Sequence, residues 1–589
     1  MRRIMQTFIP GKEAALEESI ERYQTQLNNL GFNIEEAFWL NPAPNVWSVQ
    51  IRDVDAPMNV TYGKGTTEKA ALASALGKFF ERLSTNDFYA DYYLGQGIAV
   101  SEFVHFPNEK WFDIDEDNLP PEGILDERLT QFYDPTLELL GTDLIDLQSS
   151  NMARGVCSLP FERQTDNETV YIPVNIIGNL YQSNGIAAGN TKTEARSQCL
   201  SEIFARRLKN RIMAEGISLP EIPTDVMDRF PAIKETIDTL SAKGFPVVCY
   251  DASLGGKYPV LCAMLSIPGN DLCLTAFGAH PRFDVALERA VTELLQHRAL
   301  TFALTNDAGA VPQPGVNTEE VAIHHNQATL VSYSTAMVSC DLFKADADNA
   351  FSDWNFTGSS EEEFAHLMGM LTEDRADVYI ADYDHLGVDC CRIIVPGWSE
   401  IYPIEVLIES NNNIALELRE TLLALPSVDW EGEQYAEMYA ILDEEGFDDT
   451  VLLHEIIGLV SQTGEAWQTL RIGELKCLLA LAGGDLELAL EIAAWCIDYN
   501  VSTYSPARTQ FFHCVIASLK LALDEDRDPA QVKAEFERKY GAETVAAVWG
   551  SIEGTVRFYG LTAGDLTMSQ FPAHQQLLAS YHKLQVAKK

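Results

Sequence analysis

The chain has 589 residues, of which 46% are hydrophobic and 22% are charged. This length exceeds one ordinary hydrophobic core, so two or three domains are expected. There are 87 Asp and Glu against 42 Lys and Arg, a formal net charge of -45. Such an excess of acid repels nucleic-acid phosphates, which argues against a DNA-binding protein and favours basic proteins and metal ions as partners.

The eleven cysteines are scattered, with Cys390 and Cys391 the only neighbours, and no C-x-x-C occurs. A disulfide framework or zinc module is not expected, and a reducing cytoplasm is the predicted compartment. The N-terminal apolar run breaks at Pro10, which is too early for a signal peptide. No run reaches the ~18–20 apolar residues of a transmembrane helix, so no membrane association is predicted.

Up to about residue 425, helical and strand patterns alternate along the chain and predict an α+β or mixed α/β body. A loop rich in Pro, Gly and Asn is predicted at 305–317. The predicted helices span 13–30, 67–84, 193–213, 283–302 and 361–373, and the predicted strands span 45–52, 169–176, 245–250, 258–267, 377–382 and 391–396.

After Pro426 the strand patterns vanish and amphipathic helices separated by short turns continue to the end. This pattern predicts an all-α domain of antiparallel helical hairpins. The segment 484–500 resembles part of a tetratricopeptide (TPR) repeat, but no full 34-residue period is legible, so an ordinary helical bundle stays open. The predicted domains are 1–60, 61–427 and 428–589.

Two segments of the larger body align without gaps, 65–82 and 189–206, and both read as Gly, a Thr cap and a long amphipathic helix. A third helix, 283–297, aligns with them through Ala286. Each helix then presents one acid at the same level. At two positions three residues apart the copies carry Lys78 and Glu81, Glu202 and Ala205, and Glu293 and Gln296.

Clustered carboxylates repel one another unless a cation lies between them, and hard oxygen ligands suit magnesium. Arginines one helical step away (Arg82, Arg206, Arg289) would suit phosphate oxygens, so the repeat predicts a helix-built nucleotide site. Solvated surface helices and a metal-dependent phosphate-ester hydrolase remain alternatives. The segment Gly63-Lys64-Gly65 does not complete a P-loop, and no dinucleotide fingerprint occurs.

The segments 63–84, 183–206, 277–296 and 391–403 are similar, in order, to the hallmark segments of the YcaO family, and the resemblance spans essentially the whole chain. It implies an ATP- and Mg2+-binding domain followed by a helical C-terminal domain. It also implies family chemistry in which ATP activates a backbone amide oxygen. The implied role is protein modification, as an accessory factor for β-methylthiolation of a ribosomal protein.

By the resemblance, residues 1–60 contribute to the nucleotide site. The implied ATP-binding residues are Lys12, Ser19, Asn190, Glu194, Arg206 and Arg289, and the implied metal ligands are Glu81, Glu202 and Glu293. The family pattern expects Glu at two further positions, which here hold Lys78 and Ala205. The loss of these carboxylates predicts a one-metal or metal-free nucleotide site with weak or no turnover. The chain ends HKLQVAKK, without a Pro-rich tail, so peptide cyclodehydration is not the first expectation.

The competing hypothesis is a nucleotide-binding scaffold whose catalytic site has decayed and whose helical domain carries the function. The expected partners are proteins, either a basic ribosomal protein or its modifying enzyme, and a second copy in a homodimer.

Overall fold

The structure is a computed structural model that describes residues 6–269, 272–296, 335–340, 343, 346–500, 503–524 and 526–589. The predicted loop 305–317 and the end of the predicted helix 283–302 lie outside the described residues. Three antiparallel sheets and their helices form the first body, and a helical region follows it. The predicted α+β body and all-α C-terminal region are therefore confirmed, while the TPR-like detail stays a prediction.

Four helices of the first body recur below and are called α1 (Leu16–Asn29), α2 (Glu68–Ser84), α3 (Lys192–Glu215) and α4 (Phe283–Leu294). The other helices described up to residue 424 are Gly95–Ala99, Glu127–Tyr133, Val174–Ile176, Thr224–Met227, Pro231–Ala242, Ser360–Glu373, Val406–Glu409 and Arg419–Ala424.

The strand pairs in the described residues are all antiparallel, and two of the sheets have a simple order. The first contains, in order, Ile34–Ala43, Val46–Asp53 and Val60–Gly65. The second has the order Thr335–Ser339, Leu272–Ala279, Val260–Ser266 and Val247–Asp251.

The third sheet has six strands, and Val156–Arg163 pairs with three of the others. It pairs with Lys110–Phe112, Thr169–Pro173 and Tyr379–Tyr383, and the sheet continues through Asp389–Ile394 and Ile186–Gly189. The strand predicted at 169–176 ends at Pro173, where a short helical turn begins. Proline has no N–H for the ladder and its fixed φ suits the start of a helical turn, which explains the early end.

The helical region begins at Gly432, and its hairpins follow the predicted turns. Gly484, with a positive φ, ends one helix, and Ser505 caps the start of another through the N–H of Arg508. Its helices are Gly432–Glu444, Leu453–Ile456, Ile472–Gly483, Leu486–Tyr499, Pro506–Ala522, Pro529–Tyr540 and Ala542–Ile552.

The last helix, Pro572–Lys588, packs on the first body, although it lies at the end of the helical region in sequence. Leu577, Tyr581 and Leu584 are buried in one hydrophobic cluster with Phe79 and residues around it. Within the described part of the chain, no helix combines the length and apolar character that crossing a bilayer requires.

Candidate functional site

Three strand–helix units build the site: Val60–Gly65 with α2, Ile186–Gly189 with α3, and Leu272–Ala279 with α4. Each helix lies unusually close to the strand before it. A Cβ added at Gly63 or at Gly278 would lie 2.1 or 2.3 Å from a backbone oxygen of the following helix, and one at Gly189 would lie 2.4 Å from the nitrogen of Ala195. Only glycine permits this approach, which fixes each helix against its strand.

Two of the units start their helices in the same way. Thr67 and Thr191 have nearly identical dihedrals, with φ of -137° and -138°, and their side chains accept from the N–H of Ala70 and of Glu194. This is the N-cap that the sequence predicted. The third unit begins at Arg282 without a side-chain cap, so it shares the packing but not the cap.

Four of the predicted ATP-binding residues form one hydrogen-bonded cluster. Glu194 accepts from Lys12 Nζ at 2.9 Å, from the Glu13 N–H at 3.0 Å and from Asn190 Nδ2 at 3.0 Å. Ser19 Oγ donates to Asn190 Oδ1 at 2.8 Å. Burial raises the pKa of Glu194, but Lys12 and the backbone donor outweigh it, so this pKa lies below its usual value. The carboxylate is therefore ionised and fixed in place.

The three acids predicted to share a metal ion come together only in part. Burial, and then the negative charge of Glu202, raise the pKa of Glu81 to about 8. Glu293 forms an ion pair with Lys64, whose ammonium also interacts with Glu202. Among the residues that the structure describes, no three acidic, His or Cys side chains are arranged as a metal-ligand group. Glu81 and Glu202 therefore lie near each other, whereas Glu293 is paired with Lys64.

Lys78 faces the same cluster, at a position where the resemblance leads us to expect Glu. Its positive charge lowers the pKa of Glu81. Burial lowers the pKa of Lys64 well below its usual range, and the charge of Lys78 acts in the same direction. Ala205, at the other departure, is 4% exposed and packs in the hydrophobic cluster beneath α3. Lys78 therefore brings positive charge to these carboxylates, and Lys64 adds to it where it is paired with Glu293.

The predicted arginines differ in how far their donors are used. Arg206 pairs with Glu202 at 2.5 Å, but its buried Nε and Nη1 have no hydrogen-bond partner in the described part of the chain. Arg289 donates to the Ala279 carbonyl at 2.8 Å and to Gln198 Oε1 at 2.5 Å. Burial lowers the pKa of Arg289 to about 10, although the negative charges of the surrounding acids act to raise it.

This arrangement fits a polyphosphate with a magnesium ion. The unused N–H groups of Arg206 require acceptors, and the oxygens of a phosphate are suitable ones. Glu81 and Glu202 offer the hard oxygen ligands that magnesium prefers, whereas Glu293 must leave Lys64 to join them. Arg82 contributes less, because it already donates to Asp87 at 2.8 Å.

Two residues that sequence reasoning did not assign to the site lie within it. Arg22 donates to the carbonyls of Gly189 and Asn190, both at 3.3 Å. It follows Ser19 by three residues on α1 and so shares a helix face with it, which is a signal the sequence contains. Lys64 lies inside the Gly63-Lys64-Gly65 segment, which is no P-loop but does reach the site.

Comparisons with known proteins identify the family of the chain. The family model described as YcaO cyclodehydratase, ATP- and Mg2+-binding, matches residues 62–399, and the model of the YcaO cyclodehydratase C-terminal domain matches 415–589. The chain therefore belongs to the YcaO family. This confirms the predicted family and its two cofactors, ATP and Mg2+.

The chain is 57% identical over 583 residues to the ribosomal protein S12 methylthiotransferase accessory factor YcaO of Escherichia coli, with 99% of each chain covered. It is 52% identical over 585 residues to an uncharacterized protein of Haemophilus influenzae, again over 99% of each. The solved structure of YcaO from Methanopyrus kandleri, bound with AMPPCP and Mg2+, is 16% identical. That match covers 68% of this chain and 94% of that chain, with a TM-score of 0.42.

Proposed function

We propose that this protein binds ATP and magnesium at the site of α1 to α4 and acts as an accessory factor in the β-methylthiolation of a ribosomal protein. The observation that best supports nucleotide binding is the state of Arg206. Its guanidinium is buried, and two of its nitrogens, Nε and Nη1, have no hydrogen-bond partner among the described residues. The process is supported by the 57% identity to the Escherichia coli accessory factor over almost the whole chain.

In the proposed complex the Glu194 cluster, with Lys12, Ser19 and Asn190, orients the nucleotide at one end of the site. Arg206 and Arg289 hold the phosphate oxygens, because planar guanidinium groups suit them. When bound, ATP supplies the phosphoryl group that activates an amide oxygen in the family's chemistry. The residues of this chain position that phosphoryl group and neutralise its charge.

Glu81 and Glu202 are the proposed first ligands of magnesium, and Glu293 joins them when it releases Lys64. We further propose that turnover is impaired. Lys78 and Ala205 stand where two carboxylates are expected. The positive charge that metal ions supply in phosphoryl transfer is then provided by lysine side chains. The Lys64–Glu293 ion pair also favours a second candidate, a nucleotide-binding scaffold that works through its helical region.

Nucleotide binding is tested by thermal unfolding of the full chain with and without ATP and Mg2+. At a hundredfold excess over the Kd, native protein should gain about 2.7 kcal/mol. Arg206→Gln should lose most of this gain. Arg207→Gln, an exposed neighbour on the same helix, is the matched control and should keep it. An Arg206→Gln variant that ATP stabilises as strongly as the native protein would contradict the site.

Impaired turnover is tested by an ATPase assay on native protein, on Lys78→Glu and on the Lys78→Glu/Ala205→Glu double variant. Restored carboxylates should raise turnover and the number of magnesium ions bound per chain, measured by calorimetry. The single variant guards against misfolding, because Ala205 is buried. Lys520→Glu, on an exposed face of a distant helix, controls for the charge change. Equal turnover of the native and double-variant proteins would refute the proposal.

We also propose a basic protein partner, a homodimer and a cytoplasmic location. The net charge of -45 suits a basic partner, and the described cysteines are all free thiols, as a reducing compartment would keep them. Light scattering after gel filtration tests the dimer, and a monomer at micromolar concentration would reject it.

A further inference from the structure

A cavity of about 440 Å³ lies in the six-stranded sheet, and its lining residues are not among those assigned to the nucleotide site. Its walls are two neighbouring strand segments, 159–162 and 380–385, together with Phe106 and Asn108. We call this cavity the sheet slot. The ladder between its two strands runs only through Arg163 with Tyr379 and Glu162 with Ile380, and the slot begins where that pairing stops.

The two strands part for a reason that the sequence explains. Continued pairing would place Asp382 opposite Pro160, which has no N–H to donate and is disfavoured inside a sheet. The outer edge of strand Val156–Arg163 pairs with Thr169–Pro173 from Ser158 to Glu162, so that side is closed. The inner edge is paired with Lys110–Phe112 only as far as Ser158. In the described part of the chain, residues 159–161 and 381–383 therefore face each other without a shared ladder.

The slot has an aromatic wall and an unused polar group. The rings of Phe106 and Tyr383 stack with centroids 4.9 Å apart, and His385 meets Phe106 edge-on at 5.7 Å. His385 Nε2 is buried and has no hydrogen-bond partner among the described residues. Lys588 closes one end, since its Nζ lies 4.2 Å from the centroid of Phe106 and donates to the His105 carbonyl at 2.9 Å.

The mouth of the slot is acidic. Glu162 and Asp384 line it and are exposed, and Asp382 lies between them along the wall. Asp382 is already paired with Arg196 at 2.5 Å, which leaves Glu162 and Asp384 as the carboxylates available to an incoming cation. The whole chain has the same bias, with a net charge of -45.

We propose that the sheet slot binds an extended, basic segment of a protein partner. The segment adds as a strand along residues 381–383, so that main-chain hydrogen bonds supply affinity and the alternating side chains supply specificity. Its basic side chains reach Glu162 and Asp384 at the mouth, and its apolar side chains lie against Phe106 and Tyr383. The slot and the nucleotide site have different lining residues, and neither proposal requires the other.

The test uses fluorescence anisotropy with the full chain and a labelled, capped decapeptide of alternating Lys and Val. Three probes are compared: this peptide, its Glu–Val counterpart, and a Lys–Val peptide with two central prolines that cannot pair as a strand. Only the first should bind appreciably. Asn108→Trp, at an exposed position of the lining, should fill the slot and abolish binding.

Glu162→Gln/Asp384→Asn should weaken binding about tenfold, the effect of two exposed ion pairs. Glu535→Gln/Glu543→Gln, the same charge change at exposed positions of distant helices, should leave the Kd unchanged. Thermal unfolding without ligand is measured on every variant, so that a folding defect is separated from loss of the slot. Equal binding of the acidic or proline-containing peptide, or full binding by Asn108→Trp, would overturn the proposal.

Discussion

Replacing Glu81 with Gln in the magnesium-free protein removes the acid whose pKa burial and the charge of Glu202 raise from 4.5 to about 8. The folded protein keeps this proton to a higher pH than the unfolded chain does. Native stability should therefore be fully present below about pH 4.5 and fall as the pH rises through 8. The neutral Gln side chain has no proton to lose, so the variant should not show this fall.

The size of the effect follows from the shift. The shift in the pKa of Glu81 from 4.5 to about 8 corresponds to at most about 5 kcal/mol of unfolding free energy, at ~1.4 kcal/mol per pKa unit. Because Glu81 is half-buried and the side chain of Lys78 lies beside it, we expect about 2 kcal/mol between pH 5 and pH 9.

The assay is urea unfolding with EDTA at pH 5, 7 and 9, on native protein and Glu81→Gln. Glu68→Gln, an exposed residue in the first turn of the same helix, is the control and should follow the native pH profile. Magnesium should stabilise the native protein at pH 9 more than it stabilises Glu81→Gln. If native protein and Glu81→Gln lose stability in parallel across this range, the electrostatic account of the site is wrong.

Three further predictions concern the fold around the site. Gly63→Ala places a Cβ 2.1 Å from a helix carbonyl and should lower the free energy of unfolding by about 3 kcal/mol. Gly77→Ala in α2 has room for the added Cβ and should be neutral or stabilising. Thermal unfolding compares the two variants. Leu577→Ala should cost about 3 kcal/mol in urea unfolding and exposed Val586→Ala on the same helix almost nothing; equal losses would contradict the packing of that helix. Burial lowers the pKa of His574 to about 4, so native stability should fall by up to about 3 kcal/mol as the pH drops from 6.5 to 4, and a His574→Gln variant with the same slope would refute this.

Much of the local structure could be predicted from the sequence, because caps, glycines and apolar periodicity act over a few residues. Thr67 and Thr191 mark the starts of α2 and α3, and the helices are found within a residue or two of the predicted starts. The internal repeat also predicted that three separate helices each present one acid at the same level. The change to an all-helical region after Pro426 was equally legible, since hydrophobic periodicity alone distinguishes helices from strands there.

Only the tertiary structure decided which of these side chains meet. Lys64 lies on a strand more than two hundred residues before Glu293, and their ion pair depends on how α4 packs against that strand. The last helix follows the helical region in sequence, yet Tyr581 is buried against the first body. Sequence periodicity specifies which face of a helix is apolar, but the surface that covers this face depends on packing between distant segments.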